Sequence, residues 1–255
     1  MAQEACRQAG NILLGHFHNL KGVKHKGKRD IQTEADLASE KAIKDILALE
    51  FPEDGLITEE SASKEGASGY NWIVDPLDGT NNFYYGLPYF AVNIALTKGD
   101  DVLLGLTYAP VQKELFRAEK GKGAFLNDAP IHVSAAERLK DCLVSFDMGY
   151  SEQQGREMLE VAKLLWPEVH SIRLLGSGAL GLAYLACGRM GLYFHRYLFP
   201  WDVASGILLV REAGGVVEAW GRQPIRLDSG SVVAASPVLT ERFHDILSRV
   251  PSVSQ

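Results

Sequence analysis

The chain has 255 residues, 46% of them hydrophobic, enough to bury a sizeable core as one large domain or as two fused halves. Its formal charge of -6 offers no broad basic surface of the kind duplex nucleic acid demands, and no apolar run approaches the roughly 20 residues of a membrane span. Cys6, Cys142 and Cys187 lie far apart in no metal-ligand spacing, and the N-terminal residues lack a charged region followed by an uninterrupted apolar segment, so a cytoplasmic chain with reduced thiols is expected.

The first fifty residues read as two helices joined by a polar loop. Ala5, Ala9, Ile12, Leu13 and Phe17 recur at helical spacing. A second helix opens at Thr33, with Asp36 three residues on as a capping-box partner, and ends at Phe51-Pro52. Between them, Lys24, His25, Lys26, Lys28 and Arg29 form a basic run that reads as a solvated loop; it lacks the interleaved aromatics of a single-strand binder. From residue 55 to 134 short β runs follow: LITEE, NWIVD, YFAVNIALT, DVLLGLTYA, ELFRAEK and a GAFLN to IHVS pair. Their short connections favour an antiparallel sheet. After Asp141 the rhythm alternates. Strand CLVSF, a helix over 153–166, strand SIRLL, a helix over 179–187, strand GLYFH, a helix over 200–213, strands GVVEA and SVVAAS and a helix from Val238 make a layered α/β half. The expected units are 1–137 and 138–255, with a boundary in the region 134–141.

The stretch WIVDPLDGTNNF drives a buried strand into two carboxylates. Pro76 forbids ladder donation and biases Asp75 away from helix, so Asp75 and Asp78 become strand-end groups. The turn frees the Leu77 carbonyl, and Gly79-Thr80 can start a short helix whose N–H groups face the same spot. Oxygen ligands without His or Cys suit a hard cation such as Mg2+, and the helix start suits the phosphate that accompanies it. Alone, the stretch reads equally as a Pro-Leu-Asp-Gly turn with solvated carboxylates. LITEES again ends a β run in acid, at Glu59-Glu60, and FPWDVASGILLVREAGG places Asp202 in the first turn of an apolar helix. Each has a bland reading, as a solvated turn or a helix-dipole partner. Jointly they fit a polynuclear metal site.

DPLDGTNNF together with WDVASGILLVREAGG resembles the two signatures of the inositol monophosphatase family of Mg2+-dependent, lithium-sensitive phosphatases. The likeness runs over nearly the whole chain, through DIQTEAD, TEES, GKGAFLN and RLLGSGALGLAYLACG. It implies an α+β fold, a five-layer αβαβα sandwich, as a homodimer with two or three Mg2+ ions. Glu59, Asp75 and the Leu77 carbonyl would hold one metal, Asp75, Asp78 and Asp202 a second, and Glu59 a weaker third, with Glu60 the lesser of its pair. Thr80 would orient the attacking water with Asp36 as its partner, and the amides of Gly79 and Thr80 would bind phosphate. Lys24 or Lys26, in the family's mobile loop, would approach that phosphate.

Gly176, Ser177 and Gly178 align with backbone and hydroxyl contacts to the substrate ring. His195 falls where inositol-selective members place a glutamate. The pair His195-Arg196 either is a strand end without ligand or gives a cationic pocket for a second anionic group on the substrate. The expected activity is hydrolysis of a small polyol or sugar phosphate. The alternatives are fructose-1,6-bisphosphate, a nucleotide 3'-phosphate, or a binding role in transcription for the same fold.

Overall fold

The computed structural model describes residues 1–249; residues 250–255 of the expected second unit lie outside it. Helices α1 (Ala2–His16) and α2 (Glu34–Glu50) are joined by a small antiparallel hairpin, β1 (Val23–His25) and β2 (Ile31–Thr33), where the basic run reads as a loop. A seven-stranded sheet follows: β3 (Gly55–Thr58), β4 (Asn71–Asp78), β5 (Ala91–Lys98), β6 (Asp101–Ala109), β7 (Glu114–Glu119), β8 (Ala124–Leu126) and β9 (Ala129–Pro130), with α3 (Thr80–Tyr84) after β4. Its strands lie in chain order and run antiparallel, except that β3 is parallel to β4. The twelve or so residues between those two are long enough for a crossover rather than a hairpin.

The second sheet is built from β10 (Leu143–Phe146), β11 (Ser171–Arg173), β12 (Leu192–His195), β13 (Val216–Ala219), β14 (Gln223–Pro224) and β15 (Val232–Ala235), ordered 11-10-12-15-13-14. Between these strands run α4 (Glu152–Leu165), α5 (Gly178–Ala186) and α6 (Pro200–Glu212), and α7 (Pro237–Leu247) closes the described chain.

Alternation along the strands explains the layering. In β4, Trp72 and Val74 face the α1–α2 pair, while Ile73 faces α5 and α6. In β12, Leu192 and Phe194 face α4 and α7, while Tyr193 faces inward. Both sheets are thus apolar on both sides, and α5 and α6, buried all round, fill the space between them. The result is the five-layer αβαβα sandwich, α1α2, sheet, α5α6, sheet, α4α7.

Two strand expectations change in detail. The partner of β8 is Ala129–Pro130, not IHVS. Asn127 and Asp128, at φ 45° and 69°, close a two-residue turn, so pairing is used up early and Val133 instead donates to the Ala213 carbonyl at 3.1 Å. In SIRLL only Ser171–Arg173 pairs; Leu174 and Leu175 leave the sheet for the cavity described below.

The central helix α6 lies hard against β6. A Cβ placed on Gly105 would stand 2.7 Å from the Ser205 carbonyl oxygen and 2.9 Å from its Cα, backbone atoms that cannot swing away. Gly105→Ala is therefore expected to cost about 1–3 kcal/mol by overpacking, read as a lower urea midpoint with unchanged m-value. An unchanged midpoint would show that the helix can retreat freely.

Candidate functional site

Asp75 and Asp78 are three residues apart, and a regular strand would point them to opposite faces. The register between β4 and β5 slips there: Asp75 pairs with Asn93 and Asp78 with Ala91, so Pro76 and Leu77 together oppose Val92. This bulge brings both carboxylates to the inner face. Two contacts fix it. Ser39 of α2 donates to the Pro76 carbonyl at 2.8 Å, and the Leu77 N–H donates to Asp75 Oδ1 at 3.0 Å. Gly79 then turns the chain at φ 89°, where a Cβ would stand 2.8 Å from the Tyr89 carbonyl, so only glycine fits.

Asp202 arrives from the other side, at the third residue of α6. Its Oδ2 accepts the Phe199 N–H at 2.7 Å, closing the helix start. An unbroken polar contact holds α6 to the first sheet: Asn93 Nδ2 donates to the Trp201 carbonyl at 2.6 Å, and Thr107 and Ser205 hydroxyls share Asn93 Oδ1. Each of Asp75, Asp78 and Asp202 thereby offers a carboxylate oxygen, and the three oxygens lie within 4.8 Å of one another.

That arrangement is costly for charge. Asp75 and Asp202 are pushed well above the usual carboxylate range, by burial first and then by the neighbouring acids. Burial raises Asp78 to about 6, against hydrogen bonds from the Ser177 hydroxyl and from the amides at the start of α5, including Ala179 N–H at 3.0 Å. The largest influences on these three are burial, the neighbouring acids and local hydrogen bonds. Buried, mutually repelling anions that present only oxygens fit a hard divalent cation. Leu77 lines the same cavity, and its carbonyl oxygen accepts from the Thr80 hydroxyl at 2.9 Å.

The remaining expected residues are distributed around a cavity of about 540 Å3. Glu59 lines it without joining the three-carboxylate cluster; burial and then Glu60 push it up to about 7, while Lys26 draws it down. Lys26 Nζ donates to Glu59 Oε1 at 3.0 Å and Glu60 Oε1 at 2.8 Å. Glu60 is further tied to Gln32, and its own N–H donates to Glu40, so it serves the hairpin. Lys28 and Arg29, rather than Lys24 or Lys26, line the cavity.

Asp36 does two jobs. Its Oδ2 accepts from the Thr33 N–H at 2.8 Å and the Thr33 hydroxyl at 2.6 Å, completing the cap of α2. Its Oδ1 stands 3.1 Å from the Thr80 hydroxyl, which also lies 2.9 Å from the Leu77 carbonyl. One hydroxyl proton serves one acceptor at a time, leaving the Thr80 lone pairs open to accept from a ligand. Burial, opposed by the Thr33 contacts, raises Asp36 to about 6.

Gly176, Ser177 and Gly178 reach the cavity, but with their donors engaged. The Gly176 N–H donates to Asp147 Oδ1 at 2.7 Å and the Ser177 hydroxyl to Asp78. His195 lines the cavity too, 5% exposed, with neither ring nitrogen partnered. Burial lowers it to about 4, so the ring is neutral at pH 7. Arg196, just past the end of β12, lies over the Trp220 ring at 5.1 Å and 3.8 Å from Glu157. Of the two readings open for this pair, the strand end is the one these positions favour: His195 is neutral, and Arg196 is turned to Trp220 and Glu157 and does not line the cavity.

Asp147 escaped the sequence reading. It follows β10, accepts from Gly176 and from the Tyr193 hydroxyl at 3.3 Å, and burial raises it to about 7. Asn93 and Thr107 were also missed; polar residues at inward positions of otherwise apolar strands were the available signal.

Fold and centre together define a layered α+β protein with a candidate cation site of oxygen donors. The inositol monophosphatase family model matches residues 1–252, and the chain belongs to that family. It is 37% identical over 249 residues to the inositol monophosphatase of Mesembryanthemum crystallinum, covering 95% of this chain and 92% of that protein. It is 36% identical over 256 residues to the protein named Nus factor SuhB from Pasteurella multocida (strain Pm70), covering 98% and 94%. The crystal structure of the extragenic suppressor protein suhB from Bartonella henselae superposes with a TM-score of 0.93 at 38% identity, covering 97% of each chain.

The raised carboxylates fix the sign of a pH effect. Below the unfolded pKa both states are protonated; as pH rises the unfolded chain ionises first, so stability is lost until the folded Asp78 ionises near 6 and Glu59 near 7. Metal-free protein should lose stability between pH 4 and 7, and Asp78→Asn should remove on the order of 2–3 kcal/mol of that loss. Urea unfolding across this range in chelator checks it. Parallel profiles for the two proteins would count against a strained Asp78.

Proposed function

We propose that the chain is a phosphatase that hydrolyses the phosphate monoester of a small polyol or sugar, with Mg2+ as its cofactor. The observation that carries this reading is the meeting of Asp75, Asp78 and Asp202 beside the Asp36–Thr80 pair in one cavity. Bound Mg2+ would screen the anionic phosphoryl group, acidify a water and stabilise the leaving oxygen. Glu59, Asp75 and the Leu77 carbonyl would hold one ion, Asp75, Asp78 and Asp202 a second, and Glu59 a third.

The chain's own part is positioning. Thr80, its proton given to Asp36 or to Leu77, accepts a hydrogen bond from the attacking water and aims it. The N–H groups of Gly79 and Thr80 face the phosphate oxygens. The Ser177 hydroxyl and the start of α5 hold Asp78 in place, so this loop acts on the centre through Asp78.

The testing experiment is phosphate release from inositol 1-phosphate, fructose-1,6-bisphosphate and nucleotides, with Mg2+ and with chelator. Asp78→Asn should fold and lose at least about 100-fold in kcat/KM. Thr80→Ala should lower kcat while leaving the Mg2+ concentration for half-maximal rate nearly unchanged. Near-normal turnover by Asp78→Asn at saturating Mg2+ would overturn the centre.

The similarity to a protein named Nus factor SuhB supports a second reading, a binding role in transcription for the same fold. Complementation of a deletion by phosphatase-dead Asp78→Asn would separate that role from hydrolysis.

A further inference from the structure

Asp78 is held by groups from the far half of the chain. The Ser177 hydroxyl donates to its Oδ2, the Ala179 N–H does so at 3.0 Å, and the same hydroxyl accepts the Leu180 N–H at 3.2 Å and caps α5. Where Ser177 stands is set by the turn before it, residues 174–176, which lies beyond the last paired residue of β11, Arg173. That turn is gripped from two sides. Asn82, in α3, donates from Nδ2 to the Leu175 carbonyl at 2.7 Å and stands 3.2 Å from the Gly176 carbonyl. Asp147, just past β10, accepts the Gly176 N–H on Oδ1 at 2.7 Å.

Gly176 is where the two grips meet. Its φ is 67°, and a Cβ there would stand 2.9 Å from Asn82 Nδ2, so the close approach of amide and turn requires glycine. Asp147 is itself fixed from within. The Tyr193 hydroxyl of β12 donates to its Oδ2 at 3.3 Å, and the Tyr193 ring lies so near the first turns of α5 that a Cβ on Gly181 would meet it at 2.3 Å. Burial pushes the Asp147 carboxyl up to about 7, against the Gly176 contact. A buried carboxyl costs free energy that an apolar side chain would not, and the position gains in return a directional acceptor for the turn. Groups standing behind a metal's ligands in this way set how well the ligands are prearranged.

We propose that Asp147 is a positioning residue for cation binding: with Asn82 it holds the 174–176 turn, which sets Ser177 and, through Ser177, the Asp78 carboxylate that meets Asp75 and Asp202. Asp147 stands outside the three-carboxylate cluster and acts on it through the turn. This rests on the reading of those carboxylates as a cation centre.

The test measures Mn2+ binding to substrate-free protein from the electron paramagnetic resonance signal of the free ion, Mn2+ being a cation that takes the same oxygen ligands as Mg2+. Asp147→Ala removes the acceptor and should weaken binding by at least about tenfold, the low end for groups behind metal ligands. Asn82→Ala loosens the same turn from the other side and should weaken binding too; it carries the test should Asp147→Ala fail to fold. Asp147→Asn keeps an acceptor for the Gly176 N–H and should bind nearly as the parent does. Leu247→Ala, which opens a cavity in the outer helix α7, lowers stability away from the turn and should leave binding unchanged. Unchanged binding in Asp147→Ala or, where that variant does not fold, in Asn82→Ala would overturn the inference and leave the cation centre standing. So would an Asp147→Asn variant as weak as Asp147→Ala, or equal weakening in Leu247→Ala. Absence of Mn2+ binding by the parent protein would overturn both.

Discussion

Three carboxylates drawn together away from water are the constraint to which the surrounding structure answers. Asp75, Asp78 and Asp202 repel one another, and burial makes the repulsion worse by removing solvent screening. A flexible chain would let them drift apart. Here each is held by its own local device: a strand bulge pinned from α2, a serine and helix amides from α5, a helix cap at α6. The five layers matter because those devices come from different layers, and only close packing keeps them in register.

The same logic accounts for polar residues within apolar layers. Asn93, Thr107 and Ser205 form a closed set, with the Asn93 amide and carbonyl both used and Ser205 on the helix that carries Asp202. An all-apolar contact at this place would pack as well but would let α6 slide along the sheet. Directional bonds fix its position along the strands.

What was legible in the sequence was local. The cap of α2 at Thr33 and Asp36, the turn forced by Pro76 and the acid at the start of α6 each follow from a few adjacent residues. The strands of the first sheet were readable because apolar runs and turn residues alternate sharply there. The bulge that puts Asp75 and Asp78 on one face was not, since it depends on pairing with β5. Nor was the β1–β2 hairpin, whose basic residues look like loop until the Lys26 pairing with Glu59 and Glu60 is seen. For His195 and Arg196 adjacency left two readings open, a strand end without ligand or a joint charge, and only the fold shows His195 buried and neutral against the cavity with Arg196, just past β12, over Trp220.

Asp36 carries a consequence for how this chain can change over time. One of its oxygens closes a helix and the other meets Thr80, so a single side chain ties a helix start to the cavity. An asparagine there would keep an acceptor for the Thr33 N–H, and a survey of expression or solubility would score it as tolerated. The hydroxyl beside the carboxylate cluster would nonetheless lose its anionic neighbour. On the proposed hydrolysis, position 36 is therefore a place where stability and chemistry part company.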